Sequence, residues 1–246
     1  MSQGELVAHR GYPYRYPENS LAGVQAALAA GVRYVEVDVQ LSRDGVPLLF
    51  HDRDLRRLCR QPGAVHDYEW SQLQTFSLYG EPDQPLRVAR TPLAALSDLV
   101  AVIKTAPAAH FFIELKRVAV EQFGATAVVD AVLPILQPVA GQCCVISYNL
   151  PTLQQVRQRG ELPIGVVIDE WAERTDPTIV ELQPEFLFCN RGSLPVDEPV
   201  QLPGTRLVVF ETVDPEQARQ LMAQGVDLVE TFAIVEMRRQ LGLAGD

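Results

Sequence analysis

The residues in this sequence that are best suited to chemistry are two histidines, each at the end of a short apolar run. His9 ends the run ELVAH, and His51 follows the run VPLLF. Imidazoles titrate near neutral pH, and general acid–base chemistry needs a pair of such groups in one site. His9 and His51 are therefore candidate catalytic residues.

Three carboxylates form a second candidate group. Glu36 and Asp38 lie two positions apart in RYVEVDV, so in a strand both side chains point to one face. Glu114 lies near the end of another apolar run, FFIEL. Buried carboxylates are costly unless a cation lies between them, and Arg10, Lys116 or a metal ion could supply that charge. Oxygen donors without a thiolate favour Mg²⁺ or Ca²⁺, and a structural cluster of ion pairs is the alternative.

The candidate residues must be positioned by the secondary structure around them. Apolar runs rich in β-forming residues alternate with helical patterns, which predicts an α/β fold with a parallel sheet. The expected strands are 5–9, 33–39, 46–50, 111–115, 142–147, 163–168, 186–189, 206–210 and 227–230. The expected helices are 20–30, 92–106, 118–137, 150–159, 174–182, 214–224 and 234–240.

The second and third strands are separated only by a short segment around SRDG, which is too short for a parallel crossover and therefore predicts an antiparallel hairpin. Asp44-Gly45 favours a two-residue type I′ turn, and that register places Asp38 opposite His51. Without the return strand, eight parallel strands remain. This count predicts a TIM-type (β/α)₈ barrel, in which chemistry occurs where the strands end.

The segment from about 52 to 91 is rich in turn residues, with a short helix expected near 69–77. Such a long connection predicts a small insertion that caps the barrel mouth. No linker divides the chain, so we expect one domain over 1–246.

The segment PENS precedes the helix expected at 20–30. Asn19 or Ser20 is suited to cap that helix, and Glu18 is free to hold Arg10.

Composition limits the remaining classes of function. The 246 residues carry a formal net charge of −10, which disfavours nucleic acid and anionic membranes as partners. No apolar run approaches the length of a membrane span, and no signal peptide is expected. The four cysteines, of which Cys143 and Cys144 are adjacent, lack the spacing of zinc ligands, so we expect reduced thiols in a cytoplasmic protein. The sequence indicates no oligomeric state.

The sequence resembles the glycerophosphodiester phosphodiesterase family in three segments, which are in order VAHRGYPYRYPENS, YVEVDVQLSRDGVPLLFHD and FIELK. The resemblance is strong over residues 7–58 and 111–116 and weaker beyond. The resemblance implies that His9 and His51 are the acid–base pair. It implies that Glu36, Asp38 and Glu114 are metal ligands, and that Arg10 and Lys116 contact the phosphate. It also implies attack by the glycerol 2-hydroxyl on the phosphorus, which gives a cyclic phosphate that water opens to glycerol 3-phosphate.

Two positions at the barrel mouth depart from the family pattern. Glu211 stands before Thr212 where the family often has Trp, and Phe232 follows Thr231 where it often has Asp. We hypothesise that Glu211 favours a substrate with a cationic head group such as choline or ethanolamine. An exposed loop glutamate without a role is the alternative.

Two other functions remain open. A lysophospholipase D would need an apolar groove, for which Trp70, Phe76, Leu78 and Tyr79 in the insertion are candidates. A non-catalytic binding barrel is expected to lack a histidine or a metal carboxylate of the set, and this sequence keeps all five.

Overall fold

The computed structural model describes residues 4–80, 91–160, 162–196 and 198–243, and its centre is a closed parallel barrel. The strands are β1 (Glu5–Ala8), β2 (Tyr34–Leu41), β3 (Pro47–Leu49), β4 (Ser77–Leu78), β5 (Thr91–Pro92), β6 (His110–Leu115), β7 (Cys143–Ser147), β8 (Ile164–Ile168), β9 (Phe186–Asn190), β10 (Arg206–Phe210) and β11 (Leu228–Thr231). Within the described ranges, β1, β2 and β6 to β11 run parallel, and β1 pairs with both β2 and β11. The predicted TIM-type barrel and its nine predicted strands are confirmed.

Helices cover the outside of the barrel, and two short ones lie in the segment after β3. They are α1 (Leu21–Ala29), α2 (Arg56–Cys59), α3 (Trp70–Leu73), α4 (Leu96–Lys104), α5 (Arg117–Phe123), α6 (Ala125–Leu136), α7 (Leu150–Arg159), α8 (Pro177–Leu182), α9 (Pro215–Gln224) and α10 (Ile234–Gln240). The single helix predicted at 118–137 is wrong, because Gly124 has a φ of +80° and divides it into α5 and α6.

No single helix in the described part of the chain is long and apolar enough to cross a membrane. Among the described residues, one pair of segments passes that test together, α5 with residues 125–142, and the pair bends by 117° at the break.

The hairpin between β2 and β3 is confirmed, but its predicted register is wrong by one residue. Val39 pairs with Leu49 and Leu41 with Pro47, so Phe50 rather than His51 bonds to Asp38. The loop has three residues, since Ser42 N–H donates to Val46 O over 3.0 Å and only Gly45 has a positive φ. A type I′ turn would need a positive φ at Asp44 too.

The segment after β3 forms a small insertion with its own apolar core, and that it caps the barrel mouth stays a prediction. It contains α2, α3 and the β4–β5 pair, and its core includes Phe50, Leu55, Leu58 and Leu73. The helix expected near 69–77 is shorter, at Trp70–Leu73. Residues 81–90 of the predicted insertion lie outside the described residues.

The inside of the barrel changes from apolar to polar along the strands. Strand side chains alternate in direction, so the residue two positions after an inward one also points inward. On four strands, an inward apolar residue is followed two positions later by a polar one. The pairs are Val7 and His9, Tyr34 and Glu36, Phe112 and Glu114, and Leu228 and Glu230. The sequence therefore places a polar layer above an apolar one, at the end of the barrel where the strands terminate.

Candidate active site

The three carboxylates predicted as metal ligands lie together at this end of the barrel. Parallel pairing of β2 with β6 places Asp38 directly beside Glu114, and alternation along β2 adds Glu36 to the same face. One carboxylate oxygen from each residue lies within 4.8 Å of the others, and all three residues are buried. We call Glu36, Asp38 and Glu114 the acidic triad.

Asp38 is the member of the acidic triad that the protein itself keeps ionised. Lys116 Nζ lies 3.1 Å from Asp38 Oδ1, Arg10 Nε lies 3.3 Å from Oδ2, and Asn19 donates to Oδ2 over 2.8 Å. Burial alone would raise the pKa of Asp38, but Lys116, Arg10 and His51 together hold it well below its usual value. Lys116 also pairs with Glu114 over 2.9 Å.

Glu36 is in the opposite electrostatic situation. Burial, followed by the charges of Asp38, Glu230 and Glu114, raises the pKa of Glu36 well above its usual value. Its Oε2 accepts the backbone N–H of Arg10 over 2.9 Å, whereas its Oε1 is buried without a hydrogen-bond partner in the described ranges. A buried oxygen of this kind, facing two further carboxylates, fits the oxygen-rich donor set of Mg²⁺ or Ca²⁺.

His9 is held in a fixed orientation from two sides. Its Nδ1 is hydrogen-bonded to Glu211 Oε2, and its ring stacks on Phe232 with centroids 4.8 Å apart. Its Nε2 then lies 3.7 Å from both Glu36 Oε2 and Glu230 Oε2. Burial alone would lower the pKa of His9, but Glu230 and Glu211 outweigh it and raise that pKa. The charged imidazole is therefore favoured beside these carboxylates.

Glu230 is a site residue that the sequence motifs do not single out. It is 2% exposed near the end of β11, and burial, opposed by His9 and increased by Glu211, raises its pKa to about 7. The signal that could have found it is the alternation in LVET, which places Glu230 on the inward face with Leu228.

His51 is positioned by Gln40 rather than by the hairpin register. The buried side-chain amide of Gln40 donates to the carbonyl oxygens of Phe50, His51 and Asp52, over distances of 2.5 to 3.1 Å. This contact directs the chain where it leaves β3. His51 Nδ1 then lies 2.9 Å from Asp52 Oδ1, and the half-buried imidazole faces a cavity that Glu114 and Lys116 also line.

The loop after β1 holds Arg10 against the acidic triad. Arg10 and Gly11 both have positive φ, at 55° and 82°, and a Cβ on Gly11 would come within 3.0 Å of Val24 N. Glu18 accepts from Arg10 over 3.2 Å, as the sequence predicts. Ser20 caps α1 by accepting from Gly23 N–H, which leaves Asn19 to bind Asp38.

The aromatic residues proposed for an acyl groove pack mainly within the insertion. Leu78 is buried in its core, and Trp70 and Phe76 pack against that core. Tyr79 is 42% exposed and lies under Arg60, whose guanidinium carbon is 4.1 Å from the ring centroid. These contacts give the aromatic residues an ordinary structural role.

Relatives in sequence match parts of this chain. An uncharacterised protein of Mycobacterium tuberculosis is 33% identical over 164 residues, which are 63% of this chain and 52% of that protein. A glycerophosphodiester phosphodiesterase of Bacillus altitudinis is 39% identical over 70 residues, 28% of this chain and 29% of that enzyme. The chain therefore spans about half or less of the length of these curated relatives.

Solved structures match nearly the whole fold. A phosphodiesterase of Oleispira antarctica, solved in complex with the product sn-glycerol-3-phosphate, has a TM-score of 0.83 at 23% identity, covering 98% of this chain and 97% of that one. A glycerophosphodiester phosphodiesterase of Thermotoga maritima has a TM-score of 0.74 at 23% identity, covering 98% and 99%. At these identities the likeness is one of fold.

The match to the family itself covers the site. The model of the glycerophosphoryl diester phosphodiesterase family aligns with residues 9–231, a range that begins at His9 and includes His51, the acidic triad and Lys116. On this match over nearly its whole length, and with a parallel barrel that carries a polar layer at its mouth, the chain belongs to the glycerophosphoryl diester phosphodiesterase family.

Proposed function

We propose that this protein hydrolyses glycerophosphodiesters to glycerol 3-phosphate and an alcohol, with the help of one divalent cation. The observation that supports this most is the acidic triad, which gathers three carboxylate oxygens within 4.8 Å of one another beside two candidate acid–base imidazoles. The family match and the product in the Oleispira antarctica structure indicate the same class of substrate.

Glu36, Asp38 and Glu114 would hold the cation, which when bound supplies positive charge for a phosphoryl oxygen. Arg10 Nε lies 3.3 Å from Asp38 Oδ2, and Lys116 Nζ lies 3.1 Å from Asp38 Oδ1, so two cationic side chains border the acidic triad. They bind the phosphate and stabilise negative charge that develops on it during reaction. Together with the bound cation they would offset the negative charge of the surrounding carboxylates, in a chain whose net charge is −10.

The two imidazoles share an arrangement suited to proton transfer. In each, Nδ1 is hydrogen-bonded to a carboxylate, Glu211 for His9 and Asp52 for His51, which leaves Nε2 for the reacting atoms. One imidazole removes the proton from the attacking hydroxyl, and the other donates a proton to the leaving oxygen.

The attacking hydroxyl is proposed to be the 2-hydroxyl of the glycerol unit, in a route through a cyclic phosphate. The same transfer then runs in reverse when water opens the ring. A substrate that lacks the 2-hydroxyl tests this route, because cyclisation is then impossible. Turnover of the 2-deoxy analogue at the rate of the natural substrate would rule the route out and favour direct attack by water.

The function is tested with a panel of glycerophosphodiesters and coupled detection of glycerol 3-phosphate, with Mg²⁺, with Ca²⁺ and with EDTA. We expect release that depends on the cation. Turnover of lysophosphatidylcholine in preference to every water-soluble diester would favour a lysophospholipase D, and no release from any substrate would favour a binding barrel. A cytoplasmic location stays a prediction.

A further inference from the structure

A cavity of about 720 Å³ opens beside the acidic triad, on the side where the insertion meets the barrel. Its inner wall includes Glu114, Lys116 and His51, so a molecule in it would be continuous with the reacting phosphate. This volume is in the range of small-molecule sites. Among the described residues, five cationic side chains line the cavity: Arg53, Arg56, Arg57, Lys116 and Arg117.

Three of these five cations already have partners. Arg57 bonds to Asp52 and Glu18 over 2.6 to 2.9 Å, and Lys116 pairs with Glu114 and Asp38. Arg117 pairs with Asp169 over 2.9 Å, and its guanidinium carbon lies 3.8 Å from the centroid of the Tyr148 ring. These contacts also neutralise Asp52, Glu114 and Asp169, which are three of the four carboxylates that line the cavity within the described part of the chain.

Arg53 and Arg56 differ from the other three. Both are exposed at the cavity, and neither has an ion-pair or hydrogen-bond partner for its side chain in the described part of the chain. Asp54 is the one lining carboxylate without a cationic partner there. Among the described lining residues, two unpaired guanidinium groups therefore stand against one unpaired carboxylate, in a protein with an excess of negative charge. Guanidinium groups bind phosphate oxygens in pairs of parallel hydrogen bonds.

We infer that this cavity is the subsite for the alcohol part of the substrate, and that Arg53 and Arg56 select an alcohol that carries its own anionic group, such as a phosphate monoester. The inference rests on the proposed function, since it assigns the leaving group of that reaction. It predicts a preference opposite to a cationic head group.

Two substrates that differ only in this feature test the inference: glycerophosphoinositol and glycerophosphoinositol 4-phosphate. We expect the wild type to have a higher kcat/KM on the phosphorylated substrate. The double variant Arg53→Gln/Arg56→Gln should lose about tenfold to thirtyfold of that kcat/KM, mostly through KM, as expected for two solvent-exposed charge-assisted contacts. Its kcat/KM on glycerophosphoinositol should stay within about twofold, because binding without the extra phosphate does not use these arginines.

The control is Arg33→Gln, which removes the same charge at the opposite end of the barrel, where Arg33 pairs with Glu5. This variant should leave kcat/KM on both substrates unchanged. Equal ratios of the two kcat/KM values in the wild type and the double variant would overturn the inference, as would a wild-type preference for glycerophosphocholine.

A binding measurement separates this inference from the proposed function. Calorimetry with both substrates and Mg²⁺ on the His9→Ala variant, in which turnover is expected to be strongly slowed, reports affinity separately from catalysis. If no substrate is hydrolysed by the wild type, the proposed function fails, but tighter binding of the phosphorylated substrate that depends on Arg53 and Arg56 would still support the subsite. Equal affinity for both substrates would refute the subsite even in an active enzyme.

Discussion

Glu230→Gln should stabilise the metal-free protein at alkaline pH and not at acid pH. Glu230 is 2% exposed and its Oε1 has no hydrogen-bond partner in the described ranges, and burial together with neighbouring carboxylates raises its pKa to about 7. A glutamate in an unfolded chain has a pKa of about 4.3, so the folded state binds an extra proton between these two values. Stability contributed by this group is therefore present below pH ~4.3 and is lost as pH rises through about 7.

The size of the effect comes from the same two values. Each unit of pKa difference corresponds to about 1.4 kcal/mol, so a rise from about 4.3 to about 7 means that ionised Glu230 costs the folded state about 4 kcal/mol well above pH 7. Glutamine has the same shape and no charge to bury, and its N–H groups find acceptors among the surrounding carboxylates. At acid pH Glu230 is protonated, so the variant loses only the contact of a neutral carboxyl group with charged His9, whose Nε2 lies 3.7 Å away. A small destabilisation is expected there.

Urea unfolding in EDTA at pH 5 and pH 8 measures both effects. The control is Glu181→Gln, the same change on an exposed position of α8, where we expect a shift within about 0.5 kcal/mol at both pH values. If Glu230→Gln destabilises the protein equally at pH 5 and pH 8, then Glu230 is an ordinary ionised partner of His9 and the reasoning is refuted.

Three further outcomes are expected. EDTA should abolish activity, and Mg²⁺ or Ca²⁺ should restore it. The affinity for the cation, measured by calorimetry, should increase with pH, because Glu36 has a raised pKa and must lose a proton to bind the cation. Affinity that is independent of pH would count against Glu36 as a ligand. His9→Ala or His51→Ala should lower kcat by about 10² to 10⁴ with the circular dichroism spectrum retained, and near-wild-type turnover would contradict the acid–base assignment. Glu211→Gln should reduce kcat/KM on glycerophosphocholine and glycerophosphoglycerol equally, because Glu211 bonds to His9, whereas a loss confined to the choline substrate would support the cationic head-group hypothesis.

The sequence predicts the barrel well because its evidence is local. A run such as FFIEL carries its strand signal in its own residues, and parallel strands of a barrel end at one face. The convergence of Glu36 and Asp38 with Glu114 is a consequence of these two facts and needs no knowledge of register. For this reason, the acidic triad could be predicted.

The register of the hairpin could not be predicted as securely, because Asp44-Gly45 is compatible with both two-residue and three-residue loops. The choice depends on the hydroxyl of Ser42, which donates to Asp44 over 2.6 Å and accepts from Val46 N–H over 2.9 Å. Interactions between distant segments are harder still. The bond from Glu211 to His9 joins positions 202 residues apart, and no local pattern indicates it.

The contact between Gln40 and three consecutive carbonyl oxygens has a consequence for the evolution and engineering of this scaffold. Because a barrel residue anchors the backbone from Phe50 to Asp52, we expect the backbone at His51 to keep its place when the sequence after Asp52 changes. We therefore expect the scaffold to accept segments of different length and composition after Asp52, and through them other alcohols, while the proposed catalytic residues of the barrel stay unchanged.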